Sequence, residues 1–339
     1  MKSEAAATIA IIGAGAWGTA LAQVAARAAQ HRQSNRGIVL YSHRAEVAEE
    51  LSASRQNRRY LDGIILEPTI QISHDLTSLD SASTIVLAVP SDAILATVQK
   101  ILPHIRAEAI LVSAAKGLAA GSGARMSEVI RQLAPPSHAV AALSGPGFAR
   151  EVAMGQPTAV TLAAETLALA ESLGAEFASR SFRPYPSDDL IGTEIGGVAK
   201  NVIAIACGIA IGMGFGDNVR AALITRGLAE ITRYGLALGG KAETLAGLAG
   251  VGDLVLTCSG NQSRNLRFGM ALGQGRGLDS AEAEFGTVEG IKTALTMAVQ
   301  ARSLDITMPI CDAVATLLRG EIAVGDAVES LLSRPIPKP

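Results

Sequence analysis

Near its N-terminus the chain contains the segment Ile9-Ala10-Ile11-Ile12-Gly13-Ala14-Gly15-Ala16-Trp17-Gly18. It reads as a buried apolar strand, a Gly-x-Gly-x-x-Gly turn and the start of an alanine-rich helix. In this arrangement Gly13 makes a tight turn, Gly15 lets backbone approach a pyrophosphate, and Gly18 lets the helix pack on the strand. The helix N-terminus attracts the phosphate charge. The stretch therefore predicts a dinucleotide-binding βα unit.

Further strand-like runs follow, each short, aliphatic or β-branched, and bounded by turn residues. Apolar strands without polar alternation are buried on both faces, which indicates a parallel sheet covered by helices. We therefore predict an N-terminal Rossmann-type doubly wound α/β sheet. The predicted strands are Thr8–Ile12, 37–41, 84–89, 109–113 and 139–143, with a later candidate at 158–162.

Strand signals vanish after about residue 188, and helical patterns replace them. We predict an all-α C-terminal domain, with a NAD(P)-binding domain over 1–187 and a substrate and catalytic domain over 188–339. The proline-rich tail 334–339 is expected to fray. The predicted helices are 190–211, 218–236, 241–248, 263–272, 288–302, 310–319 and 324–333.

Composition excludes several classes of protein. A net charge of −2 gives no basic footprint for nucleic acid. The three cysteines are far apart and fit neither a disulfide framework nor a zinc site, so we expect buried thiols and no metal. The uncharged run 5–26 is interrupted by glycines and the run 202–215 is too short for a bilayer. We expect a cytoplasmic protein without a membrane span.

The end of the second predicted strand bears on the choice of cofactor. NAD-dependent enzymes commonly carry an acidic residue there that binds the ribose 2′-hydroxyl, but this chain reads Leu40-Tyr41-Ser42-His43-Arg44. An arginine can bind a 2′-phosphate instead, which favours NADP over NAD or tolerance of both. The alternative is that Arg44 is a solvated surface side chain.

A dehydrogenase needs a group that takes up the hydroxyl proton, and no histidine follows residue 138. Lys200 lies in an apolar, glycine-rich helical run, where burial disfavours the ammonium and favours a general base. Asp253 lies in a similarly apolar run and is the expected partner of Lys200. The alternatives are a lysine that reaches solvent and an aspartate that is exposed in a turn or caps a helix.

Two further features suit an anionic substrate. The segment Asn261-Gln262-Ser263-Arg264-Asn265 opens a predicted helix with backbone amides, a hydroxyl, an amide and a guanidinium, although it also reads as an ordinary well-capped helix. Lys116 follows the strand 109–113, where a parallel sheet presents its ligand contacts.

In nine blocks the chain resembles the bacterial-type NAD(P)-dependent glycerol-3-phosphate dehydrogenases along nearly its whole length. The Gly-x-Gly-x-x-Gly alone is shared with many proteins, whereas the blocks together and in order are specific. They are 13–22 (GAGAWGTALA), 88–91 (AVPS), 115–118 (AKGL), 144–146 with 148–149 (SGP and FA), 196–204 (GGVAKNVIA), 221–230 (AALITRGLAE), 250–258 (GVGDLVLTC), 261–265 (NQSRN) and 288–290 (VEG).

The resemblance implies interconversion of sn-glycerol 3-phosphate and dihydroxyacetone phosphate, supplying glycerol 3-phosphate for glycerophospholipid synthesis. It implies that Lys200 is the proton acceptor and also contacts the substrate. The other implied substrate contacts are Lys116, Gly145, Gly147, Asp253, Ser263, Arg264 and Asn265. The implied cofactor contacts, beside Gly13, Gly15 and Gly18, are Ala16, Trp17, His43, Arg44, Lys116, Ala149, Arg264, Val288 and Glu289.

The chain departs from the family pattern at Gly147, where the family usually has a hydroxyl residue, and at Asp62, where it usually has proline. One alternative is a dehydrogenase for 2-hydroxy acids or hydroxyacyl thioesters, but those commonly use a histidine base. A second alternative is a non-catalytic dinucleotide sensor, which would need neither Lys200 nor the anion cluster. A homodimer is compatible with the alanine- and glycine-rich helices, but the sequence does not fix the oligomeric state.

Overall fold

The computed structural model describes residues 8–332, so the predicted fraying of 334–339 lies outside the described residues. Packing divides these residues into two compact units, 8–116 with 124–190 and 117–123 with 191–332. The predicted domain boundary after residue 187 lies three residues before this division. The assignment of cofactor to one domain and substrate to the other stays a prediction.

The first unit contains one sheet whose order is β3-β2-β1-β4-β5-β6-β7-β8. The chain runs outward from β1 in both directions, which makes the point between β1 and β4 a topological switch point. The predicted Rossmann-type fold is confirmed. The strands are β1 (Thr8–Ile12), β2 (Ile38–Tyr41), β3 (Ile70–Ser73), β4 (Ala82–Leu87), β5 (Ile110–Ser113), β6 (Val140–Ser144), β7 (Thr158–Ala164) and β8 (Phe182–Ser187).

The sheet is not wholly parallel, so the sequence prediction is wrong for one pair of strands. β7 runs antiparallel to β6, while every other neighbouring pair is parallel. The link from β6 to β7 contains only a five-residue helix, Ala149–Ala153. Such a helix spans about 7.5 Å, too short to return along the sheet as a parallel crossover requires.

Helices surround the buried strands of this unit, and their longest member follows the glycine-rich turn. The strands β1 and β2 are buried at every residue, and their side chains form the core with α1 and α7. The helices are α1 (Ala16–His31), α2 (Ala45–Ser54), α3 (Arg58–Leu61), α4 (Ile94–Ile101), α5 (Met126–Leu133), α6 (Ala149–Ala153) and α7 (Leu167–Phe177).

The second unit is helical within the described residues, as predicted. Two of its helices, α11 and α13, and a π-helical turn at Leu248–Gly252 were not predicted. The helices are α8 (Leu190–Gly212), α9 (Asp217–Ala237), α10 (Ala242–Leu245), α11 (Asp253–Ser259), α12 (Arg264–Gly273), α13 (Leu278–Phe285), α14 (Glu289–Ser303), α15 (Pro309–Leu318) and α16 (Val324–Leu332).

Helix α8 is the core of the second unit. Every residue from Gly192 to Ala210 is buried. By length and composition α8 could cross a membrane, because its 23 residues begin well before the apolar run 202–215. However, 89% of its most apolar window is buried inside the structure, as expected for a helix that is apolar on all sides and packs within a core.

Candidate active site

The glycine-rich turn between β1 and α1 is built as the sequence predicts. Gly13 has φ +111°, and a Cβ there would lie 2.7 Å from the Ala88 carbonyl oxygen. A Cβ at Gly18 would lie 1.9 Å from the Gly13 oxygen, whereas a Cβ at Gly15 meets nothing within 4 Å. Gly13 and Gly18 are therefore required by packing, and Gly15 leaves its backbone open to a ligand.

The carboxyl ends of β5 and β6 bring two predicted site residues together. Lys116 Nζ donates a hydrogen bond to the Gly145 carbonyl oxygen at 3.0 Å and lies 6.0 Å from the centre of the Trp17 ring. Gly145 has φ +141°, and a Cβ there would lie 2.9 Å from Val160 Cα. A Cβ at Gly147 would lie 3.5 Å from the Trp17 ring, an ordinary contact. Position 147 therefore has room for a small side chain.

His43 and Arg44 lie just beyond the end of β2. His43 is exposed, and the Arg44 side chain is 38% exposed with Nε 4.0 Å from Glu46 Oε1. Arg44 is the N-cap residue of α2 and its N–H donates to Ser42 Oγ at 3.3 Å. The backbone at Arg44 is thus fixed while its guanidinium is weakly held.

A dinucleotide fits the chemistry of this edge. The N-terminus of α1 has no side-chain cap, so no capping side chain accepts hydrogen bonds from the first backbone N–H groups of the helix. Of the buried side-chain atoms that lack a hydrogen-bond partner within the described chain, three lie here: Trp17 Nε1, Ser113 Oγ and Ser144 Oγ. The two serines end neighbouring strands, and Ala149 begins α6 shortly beyond the second. Buried polar atoms of this kind are usually satisfied by water or a ligand.

Lys200 and Asp253 form a buried ion pair in the second unit. Lys200 Nζ lies 2.5 Å from Asp253 Oδ1, and the side chains are only 9% and 1% exposed. Lys200 also donates to Thr257 Oγ1 at 2.9 Å, and Thr257 lies one turn after Asp253 on α11. Both alternatives for these residues are wrong, since the lysine does not reach solvent and the aspartate is neither exposed nor a cap.

The buried cysteines near this pair are not candidate nucleophiles. A hydrogen bond between the Cys258 and Cys207 thiols that favours protonated Cys258, and secondly burial, hold the pKa of the Cys258 thiol well above its usual value. A thiol that stays protonated is a poor nucleophile and packs as a small apolar group. All three cysteines are free and buried, which confirms the prediction of buried thiols. Residues 8–332 contain no cluster of His, Cys, Asp and Glu placed to hold a metal ion.

The predicted anion cluster lies at the start of α12. Some of its side chains make hydrogen bonds that stabilise the fold, and others are left for a ligand. Ser263 is the N-cap residue, and its Oγ accepts from the Leu266 N–H at 3.2 Å. Asn265 donates to Asn201 Oδ1 at 2.9 Å and accepts from the Gly290 N–H at 3.0 Å. Arg264 is exposed, and its side chain makes no hydrogen bond or ion pair within residues 8–332. Its guanidinium is therefore the positively charged hydrogen-bond donor of the cluster that a ligand could use.

Asn265 also connects the cluster to its neighbours in the second unit. Its partner Asn201 follows Lys200 on α8, and its partner Gly290 follows Val288 and Glu289 at the start of α14. Asn201 and Thr257 were not among the predicted site residues. Asn201 is adjacent to Lys200 in the sequence, and Thr257 lies four residues after Asp253. Neither relation identifies a site residue until the packing of the helices is known.

The comparisons with known proteins cover both units. The family model described as NAD-dependent glycerol-3-phosphate dehydrogenase N-terminus matches residues 8–170, and the corresponding C-terminus model matches residues 189–329. The glycerol-3-phosphate dehydrogenase [NAD(P)+] of Rhodospirillum rubrum is 49% identical over 97% of this chain and 93% of its own length. That of Caulobacter vibrioides is 46% identical over 97% of each chain.

Solved structures give the same result. The crystal structure of glycerol-3-phosphate dehydrogenase from Coxiella burnetii matches with a TM-score of 0.90 and 40% identity, covering 97% of this chain and 99% of that one. The yeast glycerol-3-phosphate dehydrogenase structure shares the fold at a TM-score of 0.85, with 24% identity over 96% and 99% of the two chains. The chain therefore belongs to the NAD-dependent glycerol-3-phosphate dehydrogenase family.

Proposed function

We propose that this chain interconverts sn-glycerol 3-phosphate and dihydroxyacetone phosphate with NAD(P)(H). The observation that carries the proposal is the buried contact of Lys200 with Asp253 and Thr257. Burying two charged side chains costs desolvation free energy, and a buried pair of titratable residues is a common sign of a catalytic site. Membership of the family supports the substrate class.

The first unit is proposed to hold the cofactor. The turn 13–18 and the first amides of α1 would bind the pyrophosphate, with Trp17 Nε1 as a further donor. His43 and Arg44 would contact the adenosine end, and Lys116 and Ala149 are proposed cofactor contacts as well. Bound NAD(P) would supply the hydride acceptor in oxidation and the hydride donor in reduction. We propose NADPH as the favoured form because Arg44 takes the place of an acidic residue.

Proton transfer is the proposed task of Lys200. In the oxidative direction its neutral amine takes the C2 hydroxyl proton as the C2–H bond breaks and the carbonyl forms. In reduction the ammonium returns that proton to the forming alkoxide. Asp253 and Thr257 accept hydrogen bonds from Nζ, so they hold the amine in one orientation through both directions.

Binding of the phosphate end is the proposed task of the cluster at the start of α12. Arg264 would form charge-assisted hydrogen bonds, with Ser263 and Asn265 completing the donors. Asp253 and Lys200 would contact the substrate near C2. Gly145, Gly147 and Lys116 of the first unit are further proposed substrate contacts, and Val288 and Glu289 of the second unit are further proposed cofactor contacts.

We also propose a cytoplasmic setting and a role in supplying glycerol 3-phosphate for glycerophospholipid synthesis. The net charge of −2 and the buried position of the apolar helix α8 agree with an enzyme that handles small molecules.

The test is a steady-state assay of NADPH and NADH oxidation with dihydroxyacetone phosphate, run beside unphosphorylated dihydroxyacetone and a 2-oxo acid. We expect turnover with dihydroxyacetone phosphate only, and a lower KM for NADPH than for NADH. Turnover with the 2-oxo acid instead would show a dehydrogenase of another class. Binding of both cofactors without oxidation of either would leave only a dinucleotide sensor.

A further inference from the structure

The side chain of Asn57 reaches the glycine-rich turn from a distant part of the sequence. Asn57 is 4% exposed and lies just before α3. Its Nδ2 donates to the Ala14 carbonyl oxygen at 3.0 Å and to Thr19 Oγ1 at 2.8 Å. A carbonyl oxygen can only accept, so the amide nitrogen must face the turn. Asn57 thus joins the turn to the first turns of α1.

This contact fixes one peptide plane of the turn. In a planar trans peptide the C=O and the following N–H point in opposite directions. Anchoring the Ala14 oxygen therefore sets the direction of the Gly15 N–H, which has no hydrogen-bond partner among the described residues. At Gly15 a Cβ would meet nothing within 4 Å, so no side-chain packing at that residue holds the Ala14–Gly15 peptide.

A second buried amide joins the same two segments farther from the turn. Gln23 lies one helical turn after Thr19, donates from Nε2 to the Ile65 oxygen at 2.9 Å, and accepts from the Glu67 N–H at 2.7 Å. Gln23 therefore holds the segment after α3 against α1 without touching the turn. Substitutions at Asn57 and at Gln23 therefore distinguish an effect on the turn from an effect on the stability of the fold.

We propose that Asn57 is a positioning residue for the cofactor, holding the Ala14–Gly15 peptide so that its N–H is presented to an anionic dinucleotide. The proposal rests on the proposed function, because it assumes that this turn binds NAD(P)(H). Asn57 itself touches no reacting atom. Its contribution is preorganisation, which improves affinity by removing the cost of ordering the turn on binding.

The substitutions N57D and Q23E form a matched pair. Each replaces an amide nitrogen that donates to a backbone carbonyl with a carboxylate oxygen, but only N57D acts on the turn. We expect N57D to raise the Kd for NADPH at least roughly tenfold, as loss of a buried hydrogen bond and added repulsion would. Q23E should lower the melting temperature while leaving this Kd within about twofold of wild type.

The measurements are isothermal titration of NADPH, the melting temperature, and the KM for each substrate. In N57D the KM for NADPH should rise, while kcat and the KM for dihydroxyacetone phosphate at saturating NADPH stay near wild type. If N57D does not fold, N57S carries the same test, since serine suits the helix-start position but is too short to reach Ala14.

Two outcomes would overturn the positioning role: wild-type affinity for NADPH in N57D or N57S, or an equal loss of affinity in Q23E. Failure of the proposed function looks different. In that case wild-type protein itself would bind neither NADPH nor NADH in the titration, and the positioning role would fall with it.

Discussion

Arg264 has a guanidinium that no acidic side chain within residues 8–332 neutralises, at the start of a helix. If it clamps the substrate phosphate, R264A should raise the KM for dihydroxyacetone phosphate far more than tenfold, because charge-assisted contacts are strong. Arg267, three residues later on α12, stacks on Phe285 at 5.4 Å and supplies the control. R267A should leave that KM unchanged. An unchanged KM in R264A would show that Arg264 does not bind the substrate phosphate.

Arg44 is proposed to distinguish the two cofactors. Its guanidinium is 4.0 Å from Glu46 and 38% exposed, so little holds it in the free protein. We expect R44A to raise the KM for NADPH about tenfold or more while changing that for NADH little. Arg59, which stacks on the exposed Tyr60, is the control. An equal effect of R44A on both cofactors would show that Arg44 does not bind a 2′-phosphate.

Single residues differ in how well the sequence predicts their partners. Lys200 and Asp253 each lie in an apolar run, so burial and the need for a partner could be inferred, and the structure pairs them. Asn57 gives no such signal because it is 43 residues from Ala14 and its surroundings are polar. Long-range contacts of a neutral amide depend on how the chain returns to the turn, which periodicity does not reveal.

The close packing of α8 on α12 depends on glycines. A Cβ at Gly208 would lie 2.1 Å from the Leu266 oxygen, and one at Gly269 would lie 2.2 Å from the Ile205 oxygen. G208A should therefore destabilise the protein by about 1–3 kcal/mol or more through overpacking. G325A on α16, where a Cβ meets nothing within 4 Å, should be neutral or slightly stabilising. Chemical denaturation measures both, and equal effects would contradict the packing account.

Glu230 on α9 caps the start of α15. Its carboxylate accepts from the Ile310 N–H at 2.8 Å and the Cys311 N–H at 3.2 Å. Burial raises its pKa from 4.5 to about 7, although these hydrogen bonds and Arg233 oppose the rise. Between pH 4.5 and 7 the folded chain then binds more protons than the unfolded chain at this site. The contribution of Glu230 to stability therefore falls as pH rises through this window.

The substitution E230Q should flatten that dependence. Wild type should lose up to about 3 kcal/mol of unfolding free energy from this group between pH 4.5 and 7.5, and E230Q should lose less. Exposed Glu282, changed to Gln, is the control and should keep the wild-type slope. Thermal melts at both pH values check this, and identical slopes in wild type and E230Q would show that Glu230 does not titrate in the window.

Element prediction succeeded where strands are buried on both faces. The central strands are continuous apolar runs, and these were found. β3 and β8 were missed because they lie at the edges of the sheet, where the residues are partly exposed and the apolar signal is weak. β8 even contains Pro184 and Pro186, which edge strands tolerate and which argue against a strand in sequence. The reversed direction of β7 depends on the length of α6, which sequence boundaries do not fix.

The described chain separates a sheet unit suited to a dinucleotide from a helical unit that holds the buried ion pair of Lys200 and Asp253. A sensor of cofactor state would need only the first. Maintaining a lysine and an aspartate together in the core of the second unit costs desolvation, and proton transfer is a function that accounts for that cost. The central claim is therefore that this family member is an enzyme and that Lys200 moves the proton.

The decisive experiment measures kcat for dihydroxyacetone phosphate reduction by K200R, together with the Kd of this variant for NADPH. Arginine keeps a positive charge beside Asp253 but does not give up its proton. Turnover should fall by a factor on the order of 10² to 10⁴, while NADPH binding stays near wild type. If arginine is too large for the core, K200M tests the same loss of turnover by removing both the amine and its charge. Near-normal turnover in either variant would contradict the account.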